Sequence, residues 1–313
     1  SKSHDSPDPI VRLEDIKADA KSLGGELQHL FRWKYIKTVF GVGYFKVDRE
    51  DVAFTEIVFP PDYLFPGSPR IVVPITDFFP KDVRHTNLYL YSYINFLKNV
   101  TFTLGASGDL YKEQLPDHSF DRKNQFNPKF GITWNPFPDT TVRGAAFRVL
   151  KRTLITDQTL EPTQVAGFNQ FFDDPNGTES LRYGVAVDQK FSKNIYVGAE
   201  VSLRNLEVPF TELSTGSVPL VRDVDWKERM GRAYLYWTPH KWVAFTAEYQ
   251  YERLKKDAEL TFGVREVKTH RVPLGGNFHH PSGLSAMLKA TYFNQRGEFE
   301  RLLTLVTSHI NPS

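Results

Sequence analysis

Eight charged residues stand at every-second positions of short apolar or small-residue runs: Lys129, Arg143, Arg182, Asp188, Glu200, Arg204, Glu248 and Lys289, with Lys190 and Arg232 in the same phase. Residues two apart share one face of an extended strand. A charged face of that kind has two uses. It can line a watery passage and sort solutes by charge, or the charges can pair across neighbouring strands and fill the wall. The residues alone leave both open. Two further groups invite a metal reading. His279-His280 fall in HHPSG, a turn composition, and read as solvated. Asp173-Asp174 with Asn176 lack the spacing of a calcium loop and read as a turn. The chain has no GxSxG, HExxH, P-loop or glycine-rich nucleotide fingerprint, so no catalytic residue, metal or cofactor is assigned and the reading is of a non-enzyme.

Composition narrows the class. Formal net charge is +2 over 313 residues, which gives no polybasic case for a nucleic-acid partner. Cysteine is absent, removing disulfides and thiol chemistry. Aromatics reach 14%, with 25 Phe and 14 Tyr, yet mean hydropathy is −0.40. No run approaches the ~18 apolar residues of a membrane helix. A β-barrel stays open, because its inward half is polar and lowers the average. The start, SKSHDSPDPI, lacks the layout of a signal peptide, and the end, HINPS, reads as a turn.

The elements that would carry the charges alternate in twos. In FNPKFGITWNPFPDTTVRGAAFR, residues 126–148, Phe126, Phe130, Ile132 and Trp134 share one face and Asn127, Lys129, Gly131 and Thr133 the other. NPFPD then turns the chain into a return strand. The same design recurs at 25–33 with 37–47, 88–96 with 100–111, 181–191 with 195–204, 229–237 with 242–252, and 270–278 with 284–293; a last strand is expected at 301–308. This makes about 13 strands by alternation. Residues 1–24 read as a tail or external loop, and 25–313 as the barrel segment. A connection over 48–86, rich in Pro and aromatics, shows no clean period. It is the candidate for a constriction or ligand contact. Further long loops are expected at 150–179 and 206–227.

Short turns alternate with long loops, and the aromatics crowd the short turns. Trp33, Tyr35, Trp134, Phe137, Trp237 and Trp242 all flank them; Trp226 alone among the tryptophans does not. Interfacial aromatic girdles and an asymmetry of loop length both mark bacterial outer-membrane barrels. The fold class expected is therefore all-β, an antiparallel transmembrane β-barrel. A soluble sandwich explains the alternation equally well but neither the Trp placement nor the loop asymmetry. If the short turns are periplasmic, the first strand descends from outside, and the piece is expected to belong to a larger barrel with strands upstream.

NPKFGITWNPFPDTTVRGAAFR followed by TLEPT at 159–163, then ESLRYGVAVDQKF, resembles the barrel of TonB-dependent outer-membrane receptors. NQFFDDPNGTESLRYGVAVDQKF is similar, more narrowly, to outer-membrane proteins carrying periplasmic tetratricopeptide repeats ahead of such a barrel. The resemblance covers 126–210 clearly. It implies outer-membrane lipid as surroundings, an unknown small ligand, and a periplasmic partner or TonB-type energiser. The plug domain and TonB-contacting segment of such receptors are not visible in this stretch. Two functions follow as expectations: solute passage or receptor-type uptake, or a non-conducting anchor for a periplasmic repeat domain or envelope complex.

Overall fold

The computed structural model describes residues 10–61, 67–114, 120–152, 159–212, 220–256 and 263–300. Twelve strands form one antiparallel sheet in chain order: β1 (Ile10–Arg32), β2 (Ile36–Phe59), β3 (Ile71–Leu97), β4 (Val100–Gln114), β5 (Phe120–Phe137), β6 (Thr140–Leu150), β9 (Glu179–Ser192), β10 (Ile195–Glu212), β11 (Leu220–His240), β12 (Val243–Lys256), β13 (Gly263–His279) and β14 (Ser285–Glu300). Between β6 and β9 lies a small separate hairpin, β7 (Gln164–Val165) with β8 (Phe168–Asn169). Each sheet strand pairs with its sequence neighbour. The outermost strands, β1 and β14, have a partner on one side only among the described residues.

The two faces are opposite in kind to those of a soluble sandwich. On β9, Val185 is 65% exposed and Tyr183 45%, whereas Arg182 on the other face is 4% exposed. On β5 Phe126, Phe130, Ile132 and Trp134 are open, while Asn127 and Lys129 are buried. Among the described residues no second sheet covers the apolar side. Period-two patterning sets this register: shifting any strand by one residue would exchange the two faces. The short turns at 33–35, 98–99, 138–139, 193–194, 241–242 and 280–284 all lie at one end of the sheet. Trp33, Tyr35, Trp134, Phe137 and Trp237 stand exposed at that end. Trp242 sits there half-buried, edge-on to His240 and His280.

At the opposite end the strands run further than alternation indicated. Residues 10–24, read as tail or external loop, belong to β1 and pair with β2, with one register irregularity between Leu13 and Asp15. Most of 48–86 is likewise strand: β2 continues to Phe59 and β3 begins at Ile71, leaving 60–70 as the connection. Alternation missed these stretches for a physical reason. Beyond an apolar band neither face needs to be greasy, and Asp48, Arg49, Glu50 and Asp51 are charged on both. Main-chain pairing alone carries the strand. Pro74 and Pro80 are tolerated in β3 because its pairing with β4 ends at Val83–Glu113, so among the described residues the upper part of β3 has β2 as its only neighbour. The strand expected at 301–308 lies outside the described residues.

Amide hydrogen exchange tests the extension. Amides of Asp48–Phe59 that face β3 should exchange at least tenfold more slowly than the same amides in the unfolded chain. Equal, fast exchange throughout 48–86 would restore the loop reading.

Candidate functional site: the polar face and the segment folded onto it

The connection from β6 to β9 does not stand clear of the sheet. Its neck is closed by Lys151 N donating to Thr178 O at 2.7 Å and Gly177 N to Lys151 O at 2.9 Å. From there residues 159–178 lie across the polar face from β1 to β10. A two-residue turn at its centre builds β7–β8, with Ala166 at φ +46° and Gly167 at +84°. Both central residues of the tightest hairpin turns need positive φ, which suits Gly167 and is unusual for Ala166. Close approach is possible because the wall is bare at Gly131 and Gly184. A Cβ on Gly184 would stand 2.3 Å from the Phe168 ring, and one on Gly131 2.9 Å from Ala166 Cβ.

The first limb of the segment is held by a buried ionic cluster. Glu161 lies 3.1 Å from Arg152 and 3.6 Å from Lys129 Nζ, and accepts from Tyr91 OH at 2.6 Å. Lys129 also donates to Gln170 Oε1 at 2.6 Å. Thr159 donates to Glu26 on β1 at 2.7 Å, and Glu26 also accepts from Leu160 N. Arg152 Nη2 is 3.7 Å from Glu26. Two cations meet two carboxylates, so the cluster is balanced. Balance is needed, since an unpaired charge at this depth would cost several kcal/mol. Next to it, Asp109 takes His85 at 2.7 Å, Asn87 at 2.9 Å and Asn127.

The second limb is held by arginines stacked on phenylalanines. Phe168 lies under the guanidinium groups of both Arg143 and Arg182, each 5.6 Å from its centroid. Phe172 lies under Arg182 at 5.0 Å and Arg204 at 3.8 Å. Each such contact contributes on the order of 0.5–2 kcal/mol. Val165 and Phe168 are fully buried with Tyr89, Tyr91, Phe147, Val149 and Ala186. A small hydrophobic core therefore sits on the otherwise polar side of the sheet.

Most of the charges singled out by spacing meet in this site, and they meet in pairs. Arg143 donates to Asp188 at 2.9 Å and to Ala166 O at 3.4 Å. Arg182 reaches Asn169 O at 2.8 Å, Ser202 at 2.8 Å and Glu200 at 3.3 Å. Arg204 binds Asp174 and, at 2.6 Å, Glu228. Asp174 is thus an arginine partner. Glu248 lies apart from the segment, paired with Arg232 at 3.0 Å and with Tyr236 OH at 2.9 Å. Lys289 is exposed on β14, opposite Gly275 and away from the cluster. Spacing did not find Glu26, His85, Tyr91, Asp109, Arg152, Glu161 or Gln170. The available signal was the loop itself: Val165-Ala166-Gly167-Phe168 has hairpin form, and Phe168, Phe171 and Phe172 are too apolar for a free polar loop.

Two substitutions probe the site. Gly184→Ala should push Phe168 off the wall at about 1–3 kcal/mol and open 159–178 to proteolysis; unchanged resistance would mean the ring is not seated there. Lys129→Met leaves Glu161 short of a cation and should lower unfolding stability by about 3–5 kcal/mol, the cost of breaking a buried pair. A loss below 0.5 kcal/mol in denaturant titration would contradict that burial.

Residues 5–182 match the family model described as TonB dependent receptor-like, beta-barrel. No curated relative matches in sequence. Among solved structures, the ferripyoverdine receptor of the outer membrane of Pseudomonas aeruginosa, bound to ferripyoverdine, superposes with a TM-score of 0.53 at 12% identity, over 90% of this chain and 42% of that one. The copper transporter OprC gives 0.53 at 11%, over 90% and 49%. The siderophore receptor PiuA from Acinetobacter baumannii gives 0.52 at 10%, over 90% and 49%. At these identities the likeness is one of fold, and the chain spans less than half the length of each. The match covers more than half of the chain and agrees with the strand order and the faces: this chain belongs to the TonB-dependent receptor-like β-barrel family.

Proposed function

We propose that the chain forms wall of an outer-membrane β-barrel through which a solute passes or is taken up in receptor fashion, with 159–178 as the inner constriction. The carrying observation is the inverted distribution of side chains: an exposed apolar face on strands long enough to cross a bilayer, and a polar face holding most of the singled-out charges under a folded-in segment. On this reading Lys129, Arg143, Arg182, Asp188, Glu200, Arg204, Glu248 and Lys289 face the lumen. Trp33, Tyr35, Trp134, Phe137, Trp237 and Trp242 form the girdle at the periplasmic interface. Receptor-type uptake brings a TonB-type energiser to that side. The relatives' names, a copper transporter and siderophore receptors, support transport and not catalysis.

A second reading has its own support. The ionic cluster, the arginine–phenylalanine stack and the small core fill the polar face between β1 and β10, as a silent anchor for a periplasmic domain would require.

Conductance of the full-length protein in planar bilayers separates the two. Discrete steps, enlarged severalfold by Glu161→Gln with Asp174→Asn, support passage past a constriction. Silence from both proteins, with a co-purifying periplasmic partner, supports the anchor. The membrane placement has its own check. Val185→Arg, near mid-sheet on the apolar face, should lower stability in vesicles by about 2–4 kcal/mol, and a change under 0.5 kcal/mol would contradict a lipid-facing position.

A further inference from the structure

Where the apolar face of β11–β14 ends, the sequence places cations directly beside one another. Register pairs Arg229 with Arg253, Arg253 with Lys268, and Lys268 with Arg296, so four adjacent strands carry four cations in one row. One step higher Lys227 pairs with Lys255, which on its other side lies opposite Glu266. The row belongs to the apolar face: Arg229 lies opposite Leu203 on β10, two residues along from Gly231, which lies opposite Val201. Like charges directly opposite each other destabilise a sheet. Within the patch one acid answers them closely. Glu266 pairs with Arg253 at 2.9 Å and with Lys268 at 2.6 Å. Both contacts are close ion pairs, so its compensation is already counted. Glu298 lies opposite Glu266 and is exposed. Among the described residues Arg229, Lys227, Lys255 and Arg296 have no ion pair.

The height of the row is informative. Arg229, Arg253 and Arg296 each lie eight residues beyond Trp237, Phe245 and Leu288 of the exposed apolar band. Eight residues of strand span roughly 26 Å, or about 20 Å of height at a ~40° tilt. The long side chains reach several ångströms further. That brings the cationic ends to the upper edge of a ~25 Å apolar band, where headgroup phosphates lie. Just below the row, Tyr249 OH and His270 Nδ1 lie 2.8 Å apart, a polar contact of the kind an interface carries.

We propose that the row Arg229–Arg253–Lys268–Arg296, with Lys227 and Lys255 above it, is a binding site for the phosphate groups of outer-leaflet lipid. Multiple phosphate oxygens would accept from guanidinium groups on adjacent strands, turning the like-charge row from a cost into a grip. The proposal rests on the membrane placement given above and adds a specific lipid contact to it.

The test uses the full-length protein in neutral detergent and in phosphatidylcholine vesicles. Retention of phosphatidic acid, phosphatidylglycerol and phosphatidylcholine is measured by native mass spectrometry for the wild type and for R229Q/R253Q/K268Q/R296Q. Phosphatidic acid should be retained at least tenfold better than phosphatidylcholine, and the quadruple variant should lose that preference. E266Q should strengthen it severalfold, a gain that misfolding cannot mimic. Inorganic phosphate displacing the lipid at equal concentration would show a free-anion site and overturn the lipid assignment. Insertion into vesicles with no preference among the three lipids, or a preference unchanged in both variants, would overturn the proposal while leaving the membrane reading intact. Failure of the wild type to insert would sink both.

Discussion

The structure depends on one constraint: the side of the sheet that is open to the surroundings is apolar, and the side that is covered is polar. Twelve strands satisfy each other's main-chain groups wherever neighbours overlap, so the backbone asks little of its surroundings through the middle of the sheet. What remains to be satisfied is the side chains. Tyr183, Val185 and Val187 on one face, against Arg182, Gly184 and Ala186 on the other, give the arrangement in miniature. Water would penalise the first face heavily; hydrocarbon does not.

A polar covered face brings its own requirement. Charges that lose water must find partners. Neighbouring strands supply some, as in Arg143–Asp188 and Arg182–Glu200. The segment 159–178 supplies the rest, bringing Glu161 to Lys129 and Asp174 to Arg204. It can lie so close because Gly131 and Gly184 leave room for Ala166 and Phe168. Local sequence, close packing and charge balance therefore converge on one element. Whether the barrel passes solutes or stands silent turns on how that element is held.

The fold was largely legible in the sequence because strands that meet two different media must alternate. The hairpins around Trp134 and Val185 declared their faces at once. Alternation fell silent where the media stop differing, and so Ile10–Gly24 and Asp48–Phe59 escaped it although both are paired strand, the first with one irregularity at Leu13/Asp15. The site was half legible. Spacing put Arg143, Arg182 and Arg204 on one face, but nothing in a linear reading joins Glu26 to Thr159, or Tyr91 to Glu161, across 133 and 70 positions. Such contacts follow from the path of a loop, and periodicity does not specify paths. Cross-strand neighbours such as Arg229 and Arg253 also became visible only once register was known.

Family membership places the chain among TonB-dependent receptor-like β-barrels. What is specific here is the wall and its folded-in segment. The account stands or falls on what touches the apolar face, and depth-resolved quenching by brominated lipids measures that contact directly. In single-tryptophan versions of the protein, Trp134 and Trp237 should be quenched most by bromines near the headgroups, and a tryptophan at Val185 by bromines deep in the acyl chains. Emission indifferent to bromine depth at all three positions would mean that this face meets something other than lipid.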